Sequence, residues 1–382
     1  MIFQQYHSHN LNIPSWHIKP GQCWVVLGRN GSGKERLAQA IKEQQKQPEY
    51  AAKRIAVVSF EEQQAFYEEE LLKDDSDFMD RLDPGTTVRE LLNSDAADLN
   101  KLAFLNLDRI LDRGYRLLSS GEGRKALLAK ALLENPDYLV LDEPYDSLDK
   151  QAKAELQHFF AELSRNSDLQ MIFLLNNFDE ISDWHSHLAV LEKGEMVAQG
   201  KCQDLVNNQD IQALLHFDAD SLPPWPAPLS ESSVSDPLVE LKDGNVSYGD
   251  TVIFSGIDLL IRPGEHTLLT GPNGSGKSTL LHLITGDHPQ CYGNNIRVLG
   301  MQRGSGETIW ELKKHIGIVS PELHRNHRVP GSALEIVLSG FFDSIGLYEE
   351  VTPIQDAHAR LWLTMVGLEN KPRIAFKALS YG

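Results

Sequence analysis

The segment Gly271-Pro272-Asn273-Gly274-Ser275-Gly276-Lys277-Ser278-Thr279 constrains the chain more than any other. Its glycines let the backbone curl so that successive N–H groups converge on an anion. The spacing G-x-x-x-x-G-K-[ST] places Lys277 against the β- and γ-phosphates of a nucleoside triphosphate and the Ser278 hydroxyl against Mg²⁺. The helix that follows aims its positive end at the same phosphates. Ahead of the loop, His266-Thr267-Leu268-Leu269-Thr270 is short and largely apolar and reads as a buried strand. Behind it, Leu280-Leu281-His282-Leu283-Ile284 reads as an apolar helix face. A strand–loop–helix unit of this kind implies an α/β fold.

The unit occurs twice. Ile18-Lys19-Pro20-Gly21 through Gly28-Arg29-Asn30-Gly31-Ser32-Gly33-Lys34 aligns without gaps to Ile261-Arg262-Pro263-Gly264 through Gly271 to Lys277, and nine of the seventeen positions are identical. The offset is 243 residues. Two copies of one nucleotide-binding domain follow from it.

A chain of 382 residues accommodates both. Hydrophobic residues make up 41% and charged residues 24%, a globular composition, and no run approaches the ~20 apolar residues that span a bilayer. The first residues, Met1-Ile2-Phe3-Gln4-Gln5-Tyr6-His7, do not read as a signal peptide. A net charge of −18 disfavours nucleic acid or anionic lipid as a broad partner. Cys23, Cys202 and Cys291 are far apart and odd in number, which suits packing roles in a reducing compartment.

In chain order, Cys23 to Leu27 reads as a strand, Arg36 onward as a helix, and Ile55 to Ser59 as a second buried strand followed by Gln63-Gln64. The acidic stretch Glu68 to Asp83 reads as a solvated loop. Thr86 to Leu92 and Ala97 to Leu107 read as helices. Leu118-Ser119-Ser120-Gly121-Glu122 has the form of a helix N-cap, with a helix over Lys125 to Leu133. Tyr138-Leu139-Val140-Leu141-Asp142-Glu143-Pro144 is an apolar strand ending in two carboxylates. Beside a phosphate loop, these suit Mg²⁺ coordination by Asp142 and activation of a water by Glu143. Met171 to Leu175 is a further strand, ending at Asn176-Asn177. Leu188 to Leu191 and Met196 to Ala198 flank a Lys193-Gly194 turn, and Gln203 to Phe217 is helical. A Pro- and Ser-rich linker, with Trp225 anchoring it, separates a first domain of residues 1–217 from a second of 238–382. In the second domain, Leu238 to Val246, Ile296 to Leu299 and Ile316 to Val319 read as strands, and Ser332 to Phe342 and Gln355 to Val366 as helices. His324 and His327 form at most a weak metal pair.

Phosphate loop, Leu-Ser-x-Gly and strand–Asp–Glu in this order resemble the ATP-binding cassette (ABC) ATPases, and the resemblance runs through nearly the whole chain twice. Gly286-Asp287-His288-Pro289-Gln290, Gly304 to Trp310 and Leu338 to Tyr348 are similar to double-cassette members associated with molybdate transport. The resemblance implies P-loop NTPase cassettes that pair head to tail around ATP and Mg²⁺, and a cytoplasmic protein acting on an integral-membrane permease at the inner face of the membrane. Tyr248 would stack on adenine, and Gln64 and Asn176 would line the first site. Ser119, Ser120, Gly121 and Glu122 would cap the γ-phosphate held by Gly271 to Thr279. Ser380 to Gly382 would cap the one held by Gly28 to Lys34.

Several positions depart from the family pattern. Glu35 stands where Ser or Thr should follow Lys34; it would ligate Mg²⁺ or repel phosphate. Asn176 or Asn177 replaces the usual His, and an amide carries no proton. Glu122 replaces a Gln after the signature, and Pro321-Glu322 stands where a Gln is usual. The second cassette ends inside its signature, so this copy is expected to be incomplete. The leading expectation is an ABC-type ATPase. The rivals are a soluble ABC machine on ribosomes or nucleic acid and a nucleotide sensor that does not hydrolyse.

Overall fold

The computed structural model describes residues 1–8, 11–74, 83–93, 102, 105–146, 148, 150–215, 224, 226, 235–272, 274–320, 323 and 327–379. The chain divides into two compact units, Met1–Asp218 and Ala219–Leu379.

The first unit is built on an eight-stranded sheet. Its strands are β1 (Ile2–Ser8), β2 (Leu11–His17), β3 (Trp24–Leu27), β4 (Ile55–Val58), β5 (Tyr138–Asp142), β6 (Gln170–Leu175), β7 (His187–Glu192) and β8 (Glu195–Lys201). The order is β1-β2-β8-β7-β3-β6-β5-β4. Strands β7, β3, β6, β5 and β4 run parallel, whereas β1–β2 and β7–β8 are antiparallel hairpins. Every residue of β3, β5 and β6 is buried, as expected of strands covered on both faces. Successive side chains alternate between two cores. Val25, Leu27, Leu139, Leu141 and Phe173 enter one, with Ala126 and Phe160. Val26, Val140, Ile172 and Leu174 enter the other, with Leu37 and Ile41. Helix α1 (Lys34–Gln44) thus covers one face, and α4 (Ser120–Leu133) and α5 (Lys150–Asn166) the other. Helices α2 (Phe60–Leu72) and α3 (Val88–Leu92) precede them; α6 (Cys202–Val206) and α7 (Gln209–Leu215) follow.

The second unit has four antiparallel strands in the order β10-β9-β11-β12, from β9 (Val239–Tyr248), β10 (Thr251–Ile261), β11 (Asn295–Val298) and β12 (Met301–Gln302). Helix α8 (Lys277–Thr285) packs Leu280 and Leu283 against Leu241, Val246, Ile296 and Val298. Helices α9 (Ile309–Lys313), α10 (Ala333–Ser339) and α11 (Pro353–Met365) complete it. The repeat extends to detail. Thr87 and Ser332 each form a reciprocal capping box with the Glu three residues on, and each bridges a later segment, at Gly114 and Ala375.

Several expectations are corrected. His266 to Thr270 forms no strand, and Leu268 is 85% exposed. Ile316 to Val319 likewise forms none, and Val319 is exposed. A strand needs hydrogen-bonded neighbours. In the first unit, β3 has β6 and β7; the described residues of the second unit supply no such pair. The acidic stretch is not all a solvated loop. Glu68 to Leu72 lies in α2, and Glu70 is 1% exposed, accepting from the Thr86 backbone N–H and hydroxyl and from Lys73. Gln203 to Phe217 contains two short helices rather than one. Most of Ala97 to Leu107 and the linker with Trp225 lie outside the described residues, as does His324, while His327 packs edge-on to Phe376. Among the described residues no cluster of three or more metal-ligating side chains occurs, and all three cysteines are buried and free.

Candidate functional site

In the first unit, β3 ends at Leu27 and its neighbour β6 at Leu175, and the Gly28 N–H donates to the Leu175 carbonyl at 3.0 Å. This seats the start of the loop on the sheet. An added Cβ at Gly28 would lie 2.4 Å from Ser32 Oγ and 2.7 Å from the Leu191 carbonyl, so only glycine fits. Gly33 caps α1 with φ 106°, in the left-handed region that glycine favours. Arg29, Asn30 and Gly31 form the exposed turn, and Ser32 is buried. The loop folds back on itself through Ser32 N–H to the Arg29 carbonyl.

Lys34 is 7% exposed, and its Nζ donates to the Gly28 carbonyl at 2.6 Å and the Arg29 carbonyl at 3.4 Å. It also lies 3.5 Å from Glu143 Oε1. Glu143 follows β5 directly with φ 46°, an uncommon backbone conformation for a side chain of this size. Its N–H donates to the Leu174 carbonyl at 3.0 Å, and Arg124 donates to its carbonyl oxygen. Neither carboxylate oxygen of Glu143 has a hydrogen-bond partner, and neither does Ser32 Oγ. Buried polar atoms are normally satisfied, and these face the loop at the strand end.

Burial pushes the Asp142 carboxyl up to about 7; Glu61 and Glu35 add to the rise, and Lys34 and Arg124 oppose it. Burial also raises Glu143 to about 7, with Lys34 holding it back and Asp142 adding to it. Asp142 and Glu143 end β5 beside one buried ammonium, Lys34, and the charges of Glu61 and Glu35 act on Asp142 as well. Such a charge balance suits a divalent cation beside Lys34. The converging loop, the orphaned Ser32 and Glu143 oxygens and the acidic surroundings together fit a magnesium nucleotide.

The other first-unit candidates separate. Ser119 caps α4, and Glu122 completes the capping box while pairing with Arg113 at 2.8 Å. That employs the carboxylate standing in the Gln position and leaves Gly121 within the first turn. Ser120 begins the helix. Gln64 donates to Glu68 at 2.9 Å along α2, and its Oε1 is buried without a hydrogen-bond partner. Its neighbour Gln63 is buried, with Nε2 2.9 Å from where a Cβ on Gly123 would sit. The Asn177 side chain accepts from the Asp179 N–H, so Asn176 is the amide left beside the end of β6.

Sequence reasoning missed Glu61, which acts on Asp142. The internal repeat held the signal: Ile55-Ala56-Val57-Val58-Ser59-Phe60-Glu61 matches Ile316-Gly317-Ile318-Val319-Ser320-Pro321-Glu322 in register. The repeat therefore puts Glu61 and Glu322 at corresponding positions of the two copies.

In the second unit, Gly271 has φ 157° and Gly274 φ 79°, and Gly276 caps α8 with φ 87°. Lys277 donates to the Gly271 and Pro272 carbonyls, each at 2.8 Å, the same inward fold as Lys34. Ser275 Oγ is 2.9 Å from where a Cβ on Gly271 would sit. Ser278 is exposed at the start of α8 and Thr279 half-buried behind it. Tyr248, at the tip of the β9–β10 hairpin, is 57% exposed. Asn273, Ser380 and Gly382 lie outside the described residues.

The sequence pattern of the ABC transporter family matches residues 11–146 and 254–382. Across its full length the chain is 35% identical to the ABC transporter ATP-binding protein ModF of Escherichia coli (strain K12), covering 81% of that protein. It is 27% identical to an uncharacterized ABC transporter ATP-binding protein of Schizosaccharomyces pombe, over 86% of this chain and 71% of the relative. A shorter match, 33% identical over 31% of this chain and 33% of the relative, is to molybdenum import ATP-binding protein ModC 1 of Azotobacter vinelandii.

Proposed function

The chain belongs to the ABC transporter family of ATP-binding cassette ATPases, with its α/β P-loop cassette in two tandem copies, and on that premise we propose that it couples MgATP hydrolysis to motion between cassettes that energises a molybdate-type permease. The observation that carries this reading is the contact of Lys34 with Glu143 beneath the phosphate loop. It joins the phosphate-binding cation to the carboxylate best placed to act as base.

In this reading Gly28 to Glu35 and Gly271 to Thr279 bind the triphosphates, residues 1–217 and 238–382 being the two cassettes. Lys34 leaves the Gly28 and Arg29 carbonyls for the β- and γ-phosphates. Glu143, relieved of its cationic neighbour, orients a water and holds its proton as it attacks. Magnesium, held by Asp142 in the first cassette and Ser278 in the second, neutralises phosphate charge when bound. Tyr248 stacks on the adenine of the second site. Ser119 to Glu122 and Ser380 to Gly382 serve as γ-phosphate caps. Among the described residues no helix is long and apolar enough to cross a membrane, and the transport role is read as acting on a permease partner. A relative named for molybdenum import supports the choice of anion.

A nucleotide sensor without turnover is the second reading, favoured by Glu35 acting on Asp142 and by an amide at Asn176. Steady-state ATP turnover decides between them, since a sensor shows none. Co-purification from membranes tests the transport role; a chain that hydrolyses ATP yet retains no permease would sink it.

A further inference from the structure

The segment Gly286-Asp287-His288-Pro289-Gln290 lies outside the phosphate loop and makes an ordered set of bonds to the hairpin that carries Tyr248. Gln290 grips Ser247 by both backbone groups: its Oε1 accepts from the Ser247 N–H at 3.1 Å, and its Nε2 donates to the Ser247 carbonyl at 2.6 Å. The next residue is Tyr248, whose Oη lies 2.8 Å from His288 Nε2. His288 is 5% exposed, and its Nδ1 accepts from the Gln290 N–H at 3.2 Å. A ring accepting at Nδ1 carries its proton on Nε2, so the bond runs from His288 to the phenol oxygen. The two rings meet edge-on at 66° with centroids 5.6 Å apart. The hairpin is also tied to the phosphate loop. A Cβ on Gly276 would lie 2.7 Å from Ile253 Cγ2, on β10, whose Thr251 pairs with Tyr248. The exposed ring of Tyr248 is thus held at one end by a buried imidazole, in the unit whose loop begins α8.

We propose that His288 is a positioning residue for Tyr248, fixing the ring in the orientation that receives the adenine base at the second site. The proposal rests on the reading of Tyr248 as the adenine platform. An exposed tyrosine otherwise samples several rotamers, and ordering it on binding weakens the complex. The bond from His288 removes that cost in the free protein.

The test uses the full chain with its first site silenced by Lys34→Ala. A fluorescent ATP analogue is displaced by ATP or by inorganic tripolyphosphate, which has the phosphates but no base. His288→Phe is expected to weaken ATP roughly three- to tenfold, the scale of one neutral hydrogen bond, and to leave tripolyphosphate unchanged. Tyr248→Phe should match it, and the double variant should add nothing further. His288→Gln, whose amide reaches the phenol, should recover the affinity, and His288→Asn, which replaces only the Nδ1 cap, should not. Equal loss for ATP and tripolyphosphate, or rescue by Asn and not Gln, would overturn the proposal, because either result marks a purely structural histidine. If Tyr248→Ala costs ATP selectively while His288→Phe changes nothing, the platform stands and the positioning role falls. If Tyr248→Ala itself spares the preference for ATP over tripolyphosphate, the platform reading fails first.

Discussion

Lys34 Nζ donates to the Gly28 carbonyl at 2.6 Å and at the same time lies 3.5 Å from Glu143 Oε1. One ammonium therefore links the phosphate loop to the end of β5 and competes with any nucleotide for its own charge. Glu143→Gln keeps the size of the side chain but removes the base. ATP turnover should fall about 10²- to 10⁴-fold, with nucleotide binding retained. Steady-state kinetics beside equilibrium binding of a fluorescent analogue separates the two effects. Loss of binding in step with turnover would place Glu143 in ligand retention rather than chemistry.

Glu35 acts on Asp142 with the same sign of charge. A triphosphate brought to this loop meets that repulsion, and Glu35→Ser should relieve it. MgATP affinity at the first site is expected to rise about tenfold, an energy of ~1.4 kcal/mol, which one carboxylate supplies at moderate separation and an effective dielectric near 20. Titration in the Lys277→Ala background reads the first site alone. A weaker or unchanged affinity means that Glu35 is a metal ligand.

The second loop carries Ser278 after its lysine and no carboxylate there. It should bind nucleotide more tightly than the first. Lys277→Ala is expected to remove most of the bound fluorescent ATP analogue, and Lys34→Ala the smaller share. The reverse order would overturn the ranking of the two sites.

Arg303 has a fully buried guanidinium 3.1 Å from Glu307, itself 9% exposed. Burial would raise the Glu307 carboxyl, but backbone N–H groups of Glu307, Gly304 and Ser305 and the Ser305 hydroxyl outweigh it and hold it at about 2. A carboxyl held below its ordinary 4.5 stabilises the fold above that pH, and the contribution is lost as pH falls toward 2. Glu307→Gln should destabilise the second unit by about 3 kcal/mol at pH 6, because Arg303 remains buried without its anion. Denaturant unfolding should show the gap between the two proteins narrowing as pH falls from 4.5 toward 2. A gap that does not depend on pH would rule out the charge of the Glu307 carboxylate as its source.

Read alone, the sequence determined the two phosphate loops, their repeat at 243 residues, the carboxylate-ended strand and the capped helix after Ser119. These features are local. Glycine spacing, an apolar run ending in Asp-Glu, and a Ser with Glu three residues on each act over a few residues, so short-range chemistry makes them readable. What only the tertiary structure decided depends on partners distant in sequence. His266 to Thr270 has the composition of a strand and is not one, because a strand requires hydrogen-bonded neighbours. Glu70 stands in an acidic run and is nonetheless buried, since Thr86 and Lys73 meet it there. Glu61 and Asp142 lie some eighty residues apart in the chain, and only folding brings the charge of one to bear on the other. The support of Tyr248 by His288, forty residues away, is of the same kind: hydrogen bonds between residues remote in the chain leave no periodic trace in composition or spacing, and only folding brings the partners together.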